Sequence, residues 1–249
     1  MPLRSWRHWR RPGDILTHLR WSDADARRLA FYRHLIRPSD LVFDVGANMG
    51  NRSKVFRAIG ARVVAFEPQS ACAQFLATAF SGDPGFTLVR AGLSRVAREA
   101  LLHLSPSHPL STVDPAWMDR MNHGGRFAHA WSGTERVTLT TLDACIAQFG
   151  LPAFIKIDVE GHEWAVVEGL SHPVELVSLE FASESLDSIY TCIDHLDALA
   201  GYDYRLSLGD SMQFEATDWR GGSGIKALLT RLALRDPLVW GDLYARRVK

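Results

Sequence analysis

The segment Asp44-Val45-Gly46-Ala47-Asn48-Met49-Gly50 separates a short apolar run from a helical one. Glycines in such a turn permit tight bending and let a ligand approach the backbone closely. The spacing is G-x-N-x-G, not the G-x-G-x-x-G of dinucleotide binders. A pyrophosphate wants bare amides at a helix N-terminus, yet Asp44 lies just before this turn. Its carboxylate repels phosphate and suits a ligand carrying an ammonium or sulfonium charge. Glu67 stands 23 residues after Asp44, at the end of the next apolar run and before Pro68. A carboxylate there accepts hydrogen bonds from both hydroxyls of a ribose. Taken alone, it also reads as an exposed turn acid.

A third segment runs Ile155-Lys156-Ile157-Asp158-Val159-Glu160-Gly161-His162-Glu163. On an extended strand side chains alternate, so Lys156, Asp158 and Glu160 share one face and Ile155, Ile157 and Val159 the other. Charges at the end of a buried strand need a partner or a purpose. A purely structural reading pairs Lys156 with an acid and uses Glu163 to start the next helix. A zinc-protease H-E-x-x-H is excluded, because position 166 is Val166. Asp44, Glu67, Asp158 and Glu180 each close a predicted strand. In open α/β sheets that edge is where ligands bind.

The elements that would hold these residues alternate. Ser22 as N-cap, with Asp25 in the first turn, starts a helix in which Leu29, Tyr32 and Ile36 recur at helical spacing. Strands are expected at Leu41 to Val45, Arg62 to Phe66 and Phe86 to Val89, with helices between them. Apolar residues on both faces of each strand point to a doubly wound, mostly parallel sheet covered by helices on both faces. Alternation resumes at Arg136 to Thr140. Further strands are expected at Ala153 to Val159, Val174 to Phe181, Tyr204 to Leu208 and Leu238 to Ala245. Arg220 to Gly224 reads as a flexible loop. Residues from about 105 to 134 break the rhythm. They are rich in His, Pro, Gly, Met and Trp and read as an insertion over the site, a lid. Residues 1–21, where Arg alternates with Trp, form a basic arm without a secretory signal's apolar core. Residues 22–249 read as a single domain.

The bulk numbers agree. The chain has 249 residues, 47% hydrophobic and 22% charged, with zero formal net charge. That balance describes a globular protein and names neither nucleic acid nor an anionic membrane as partner. No apolar run approaches a membrane span. Cys72, Cys145 and Cys192 are scattered and odd in number, which argues against a disulfide framework and for a reducing, cytoplasmic setting.

Together these segments resemble the FkbM family of class I S-adenosylmethionine-dependent methyltransferases. The resemblance rests on Phe43 to Gly50, Val64 to Pro68, Leu139-Thr140-Thr141-Leu142-Asp143 and Ile155 to Glu163, in the family's order. It implies a Rossmann-like sheet of about seven strands and S-adenosylmethionine as cofactor. It implies that Asp44, Gly46, Asn48 and Gly50 line the methionine and ribose end, and that Glu67 holds the ribose. Ala91 to Ser94 would lie near the adenine, Ser94 being the polar candidate. Many class I enzymes carry an acid at that position, and this chain does not.

Methyl transfer to a hydroxyl requires an in-line nucleophile and a base within hydrogen-bond reach. The candidates are Asp158, Glu160 and His162, in that order, with His108 and His123 of the insertion behind them. Asp158 and Glu160 are also oxygen donors of the kind that hold Mg²⁺, although two acids do not make a metal site. The expected activity is therefore O-methylation of a small molecule, sugar or lipid-like acceptor, without nucleic acid. Two other readings are a non-catalytic cofactor-binding scaffold of the same fold and a nicotinamide oxidoreductase. The missing third glycine and Asn48 speak against the latter.

Overall fold

The computed structural model describes residues 20–105, 110–123, 131 and 133–248, without the side chain of His123. Most of the expected arm, and His108, Gly124 and Gly125 of the insertion, lie outside the described residues.

Seven strands form one sheet: β1 (Leu41–Val45), β2 (Arg62–Phe66), β3 (Phe86–Val89), β7 (Phe154–Ile157), β8 (Leu176–Ala182), β9 (Tyr202–Leu208) and β10 (Trp240–Arg247). Their order is β3-β2-β1-β7-β8-β10-β9. All neighbouring pairs are parallel except those of β10, which runs antiparallel to both β8 and β9. The chain leaves β1 towards β2 on one side and returns to β7 on the other. That reversal opens a crevice at the strands' C-terminal ends.

Alternate side chains of the central strands feed two cores. Phe43, Val45, Ile155 and Ile157 pack beneath α5 (Leu142–Phe149), α6 (Glu163–Val167), α7 (Leu186–Leu199) and α8 (Gly222–Arg235). Val42, Val63, Ala65 and Phe154 pack beneath α1 (Asp23–Tyr32), α2 (Asn51–Ile59) and α3 (Ser70–Ala79). Helices thus cover both faces, as the apolar strands require. The start of α1 is as expected. The Ser22 hydroxyl accepts from Asp25 N, and the Asp25 carboxylate accepts from Ser22 N.

Three local expectations are corrected. Gly133–Thr140 (β6) does not join the main sheet; it pairs with Gly92–Leu93 (β4) and Arg98–Leu104 (β5) in a separate three-stranded sheet. Arg220 to Gly224 is not a loop throughout, because Gly221 caps α8 and Gly222 begins it. Glycine's low helix propensity, about 1 kcal/mol below alanine, is outweighed there by Ile225 and Leu229, which α8 buries in the core. The insertion is not wholly irregular either. It contains α4 (Pro115–His123), which buries Trp117 and Met121. No helix among the described residues is long and apolar enough to cross a membrane.

Candidate active site

The crevice is a cavity of about 630 Å³, within the range of small-molecule sites. One end is built by the turns after β1 and β2. Asp44 is the last but one residue of β1, on the face towards α2, and is 2% exposed. Its Oδ2 accepts from Ser53 Oγ at 2.5 Å. Burial pushes its carboxyl up to about 6, although Ser53 and Lys156 pull it down. Gly46 carries φ of +81°, and a Cβ there would lie 1.9 Å from the Asp158 carbonyl oxygen. Only glycine lets the turns after β1 and β7 approach this closely. The turn is pinned as Gly46 N and Ala47 N donate to Phe66 O.

Glu67 follows β2 and is 5% exposed. Its two carboxylate oxygens accept from Asn48 N and Gln69 N, each at 2.7 Å. Burial pushes it up to about 7, against those two backbone donors. Pro68, Gln69, Gly92 and Leu93 continue this wall, and Leu102 and Leu139 from the small sheet add apolar surface.

The other end is built by the turns after β7 and β8. β7 stops at Ile157, two residues earlier than the alternation suggested. Glu160 then takes φ of +53° and Gly161 +91°. Asp158 and Glu160 therefore reach the cavity from a turn, not from one face of a strand. One ligand oxygen each from Asp158, Glu160 and Glu180 lies within 4.8 Å of the others. Lys156, fully buried on β7, donates to Asp158 Oδ2 at 3.3 Å and Asp242 Oδ1 at 2.9 Å. Burial would raise the Asp158 carboxyl, but Lys156, Arg52 and a hydrogen bond with Glu180 hold it below its usual value. Glu180 moves the opposite way, far up, through burial and the Asp158 and Glu160 charges beside it. Burial and its acidic neighbours thus favour the neutral form of Glu180, and Lys156 favours the ionised form of Asp158.

The insertion closes this end. Thr112 Oγ1 donates to Glu160 O at 2.7 Å. Trp117 lies against Gly161, where a Cβ would come within 2.1 Å of the indole. Leu110, Val113 and Met121 also face the cavity.

Of the sequence candidates, the structure brings Asp44, Gly46, Asn48, Glu67, Asp158, Glu160 and His162 to one cavity. It does not bring Gly50 or Ser94 to its surface. A Cβ on Gly50 would meet Leu76 and Phe80 instead. Ser94 is buried beyond the wall, and its hydroxyl bonds His162 Nε2 at 3.2 Å. Burial lowers the His162 imidazole below its usual value, opposed by Asp114. Glu163 folds back to accept from Val159 N and Gly161 N, which stabilises the turn. Sequence reasoning noted Glu180 only as an edge acid and missed Ser53, Arg28, Arg52, Trp240 and Asp242. The first three lie on helices without any motif, and the last two come from the far end of the chain.

The family model for the methyltransferase FkbM domain matches residues 44–206, well over half of the chain. No curated protein sequence matches. Among solved structures, the precorrin-6Y C5,15-methyltransferase of Geobacter metallireducens GS-15 is 11% identical, covering 90% of this chain and 88% of its own, with a TM-score of 0.46. A putative rRNA methylase of Clostridium thermocellum is 8% identical, with coverages of 93% and 99% and a TM-score of 0.45. The C-terminal domain of precorrin-6Y C5,15-methyltransferase from Rhodobacter capsulatus is 12% identical over the whole of both chains, with a TM-score of 0.44. Likenesses at that level add nothing to the assignment, which rests on the family match. That match spans both rows of carboxylates around the cavity, and the chain belongs to the methyltransferase FkbM domain family of S-adenosylmethionine-dependent enzymes.

Proposed function

We propose that the chain O-methylates a hydroxyl group on a small acceptor such as a sugar or a lipid-like compound. The observation that carries this reading is one cavity with Asp44 and Glu67 at one end and Asp158, Glu160 and Glu180 at the other. When bound, S-adenosylmethionine supplies a methyl group already activated on a sulfonium. The protein's task is to bind, orient and deprotonate.

Glu67 holds the ribose. Each of its oxygens already accepts one backbone N–H and keeps a second lone pair for a ribose hydroxyl. Asp44, buried beside Gly46 and Asn48, offsets the positive charge of the methionine end. Leu93, Leu102, Leu139 and Pro68 form the apolar slot for the adenine. Asp158 is the base. Lys156 keeps it ionised, and its side chain is 32% exposed to the cavity. As the hydroxyl oxygen takes the methyl, its proton moves to Asp158, with Glu180 hydrogen-bonded alongside to share it. Glu160, whose backbone carbonyl is tied to Thr112, and His162, bound to Ser94, set the shape of the turn. The insertion and Trp240 line the acceptor's side of the cavity.

Asp158, Glu160 and Glu180 each bring one oxygen to a common point. The same three oxygens could instead hold Mg²⁺. The acid–base use is preferred because the Lys156 ammonium already neutralises Asp158, and a chelator such as EDTA is expected to leave turnover unchanged.

The test pairs calorimetry with S-adenosylhomocysteine and turnover on a panel of hydroxylated acceptors. Asp158→Asn is expected to lower kcat by about 10²- to 10⁴-fold while the affinity for S-adenosylhomocysteine stays the same. Absence of S-adenosylhomocysteine binding at high micromolar concentration would overturn the reading. So would full activity of Asp158→Asn.

A further inference from the structure

A second acid stands behind the proposed base. Asp242 lies on β10, two strands from β7 in the order β7-β8-β10. Its side chain is buried and outside the cavity lining, as are those of Lys156, Tyr244 and Tyr32. The Lys156 ammonium has three N–H groups and three acceptors: Asp242 Oδ1 at 2.9 Å, Asp158 Oδ2 at 3.3 Å and Ile157 O at 3.4 Å. Asp242 is the closest. Its other oxygen accepts from the Tyr244 hydroxyl at 3.4 Å, and that hydroxyl lies 3.4 Å from the Tyr32 hydroxyl on α1.

Sheet register explains how a lysine on β7 reaches an acid on β10. Neighbouring strands are about 4.8 Å apart, so these two backbones are separated by about 10 Å. On β8, between them, Ser178 is opposite Lys156 on one side and Tyr244 on the other. A serine is short enough for the lysine stem to pass over it. Asp242 precedes Tyr244 by two residues and shares its face of β10. Asp242 is directly opposite Glu180. An acid opposite a second acid gains nothing from strand pairing.

Neutralising Lys156 gives no reason for Asp242 either, because Asp158 alone supplies one negative charge. Arg52 acts on Asp158 and Asp242 alike through charge and does not choose between them. What Asp242 adds is direction. It holds the ammonium behind the wall, so Asp158 meets it at the longer distance and through one oxygen, with its side chain still 32% exposed. A lysine carries its charge on a flexible four-carbon stem. Without Asp242 the ammonium would turn to Asp158 and draw that carboxylate back from the cavity. A reacting group misplaced by about 1 Å costs about 10²-fold in rate.

We propose that Asp242 is a positioning residue for methyl transfer: by anchoring the Lys156 ammonium across β8, it keeps the Asp158 carboxylate turned towards the acceptor. Asp242 acts through Lys156, from outside the cavity. Tyr244 and Tyr32 hold Asp242 in turn and tie it to α1. The inference rests on the reading of Asp158 as the base.

The test reads three quantities: kcat on the most active member of the hydroxylated panel, calorimetric affinity for S-adenosylhomocysteine, and the ammonium nitrogen resonance of Lys156, one of four lysines in the chain. Asp242→Asn is expected to lower kcat by about 10- to 100-fold, to leave the S-adenosylhomocysteine affinity within about twofold, and to move the Lys156 signal. On an Asp158→Asn background the same change should cost little more, because the two residues act as one unit. An unchanged kcat overturns the proposal. So does an equal loss of kcat and cofactor affinity, which is the mark of a general structural role. So does a full further loss on the Asp158→Asn background. A lower kcat with an unmoved Lys156 signal overturns the route through the lysine. If Asp242→Asn does not fold, Ser178→Val supplies the test, since it keeps every charge and puts bulk in the lysine's path. It should lower kcat in the same way, and full activity there overturns the proposal. Full activity of Asp158→Asn, or no turnover of any panel member by the unaltered protein, sinks the base reading itself, a separate outcome.

Discussion

The two ends of the cavity are both lined by buried acids, yet they solve the cost of burial in opposite ways. Asp44 and Glu67 accept hydrogen bonds from neutral donors, a serine hydroxyl and two backbone amides, while Lys156 and Arg52 act on Asp44 through charge alone. Neutral donors do not cancel the charge, and burial pushes both carboxyls up, to about 6 and about 7. Asp158 instead faces a full cation, the Lys156 ammonium, and is held below its usual value. In the proposed reading the first end awaits a cation, and the second keeps its base charged. On that reading burial alone does not tell a binding acid from a catalytic one; the charge of its partner does.

The largest way to break this contrast is to remove the cation from the second end. Lys156→Ala leaves Asp158 and the nearly buried Asp242 without their shared partner. The expected loss is about 3–5 kcal/mol of stability, read by chemical denaturation. Combining it with Asp242→Asn should return part of that loss; no recovery would mean that packing, not charge, sets the cost. Next comes Gly46→Ala. The added methyl meets the Asp158 carbonyl at 1.9 Å and the backbone there has φ of +81°. The two turns must separate, at about 2–4 kcal/mol. Because Gly46 joins the two ends, cofactor affinity and turnover should fall together. Loss of only one would show that the ends are less coupled than the contact implies.

The same contrast explains what was legible in the sequence. Asp44 and Glu67 stand out because a charge at the end of an apolar strand is conspicuous, and their partners are local. Ser53 is nine residues on and Gln69 two. The mostly parallel sheet and both helical layers followed from apolar runs and their spacing. The second end was harder. Lys156 was visibly misplaced on a buried strand, but its closer partner, Asp242, lies far along the chain and is brought near only by the packing of the sheet. Pleat alternation placed Asp158 and Glu160 side by side for a reason that does not hold, since the strand ends first and Glu160 enters a left-handed turn. Arg28 and Arg52 sit on amphipathic helices, where an arginine is ordinarily a solvated residue. Nothing in their spacing separates them from others of that kind. The alternation of β6 was visible from Arg136 to Thr140, but β4 is only two residues long, and nothing local showed that β6 pairs with β4 and β5 instead of joining the main sheet.

A finer cut acts on the first end alone. Glu67→Gln keeps the shape but turns one acceptor into a donor, and that donor must face Asn48 N or Gln69 N. The affinity for S-adenosylhomocysteine should fall by about 10- to 100-fold, with the stability loss confined to this turn. A change below about twofold would remove Glu67 from the ribose.

The smallest effect is the one that tests the contrast without any substitution. Burial raises Asp44 to about 6 and Glu67 to about 7, so the folded protein holds protons that the unfolded chain has already lost above pH of about 4. The free protein's stability contribution from these two groups therefore declines as pH rises through that window. Ligand binding runs the other way. The methionine end of the cofactor brings positive charge to Asp44, which favours the ionised carboxylate and expels its proton. Affinity for S-adenosylhomocysteine should rise with pH below about 6, by at most about tenfold per unit for each proton released, and level off above about 7. Asp158, already charged across this range, should contribute nothing to the slope. Calorimetry in buffers of different ionisation enthalpy counts the protons directly. Asp44→Asn should remove the acid limb, and Asp158→Asn should leave it in place. If Asp158→Asn flattened the curve instead, the ionisation coupled to the cofactor would belong to the acceptor end, and the division between a waiting end and a charged end would be reversed.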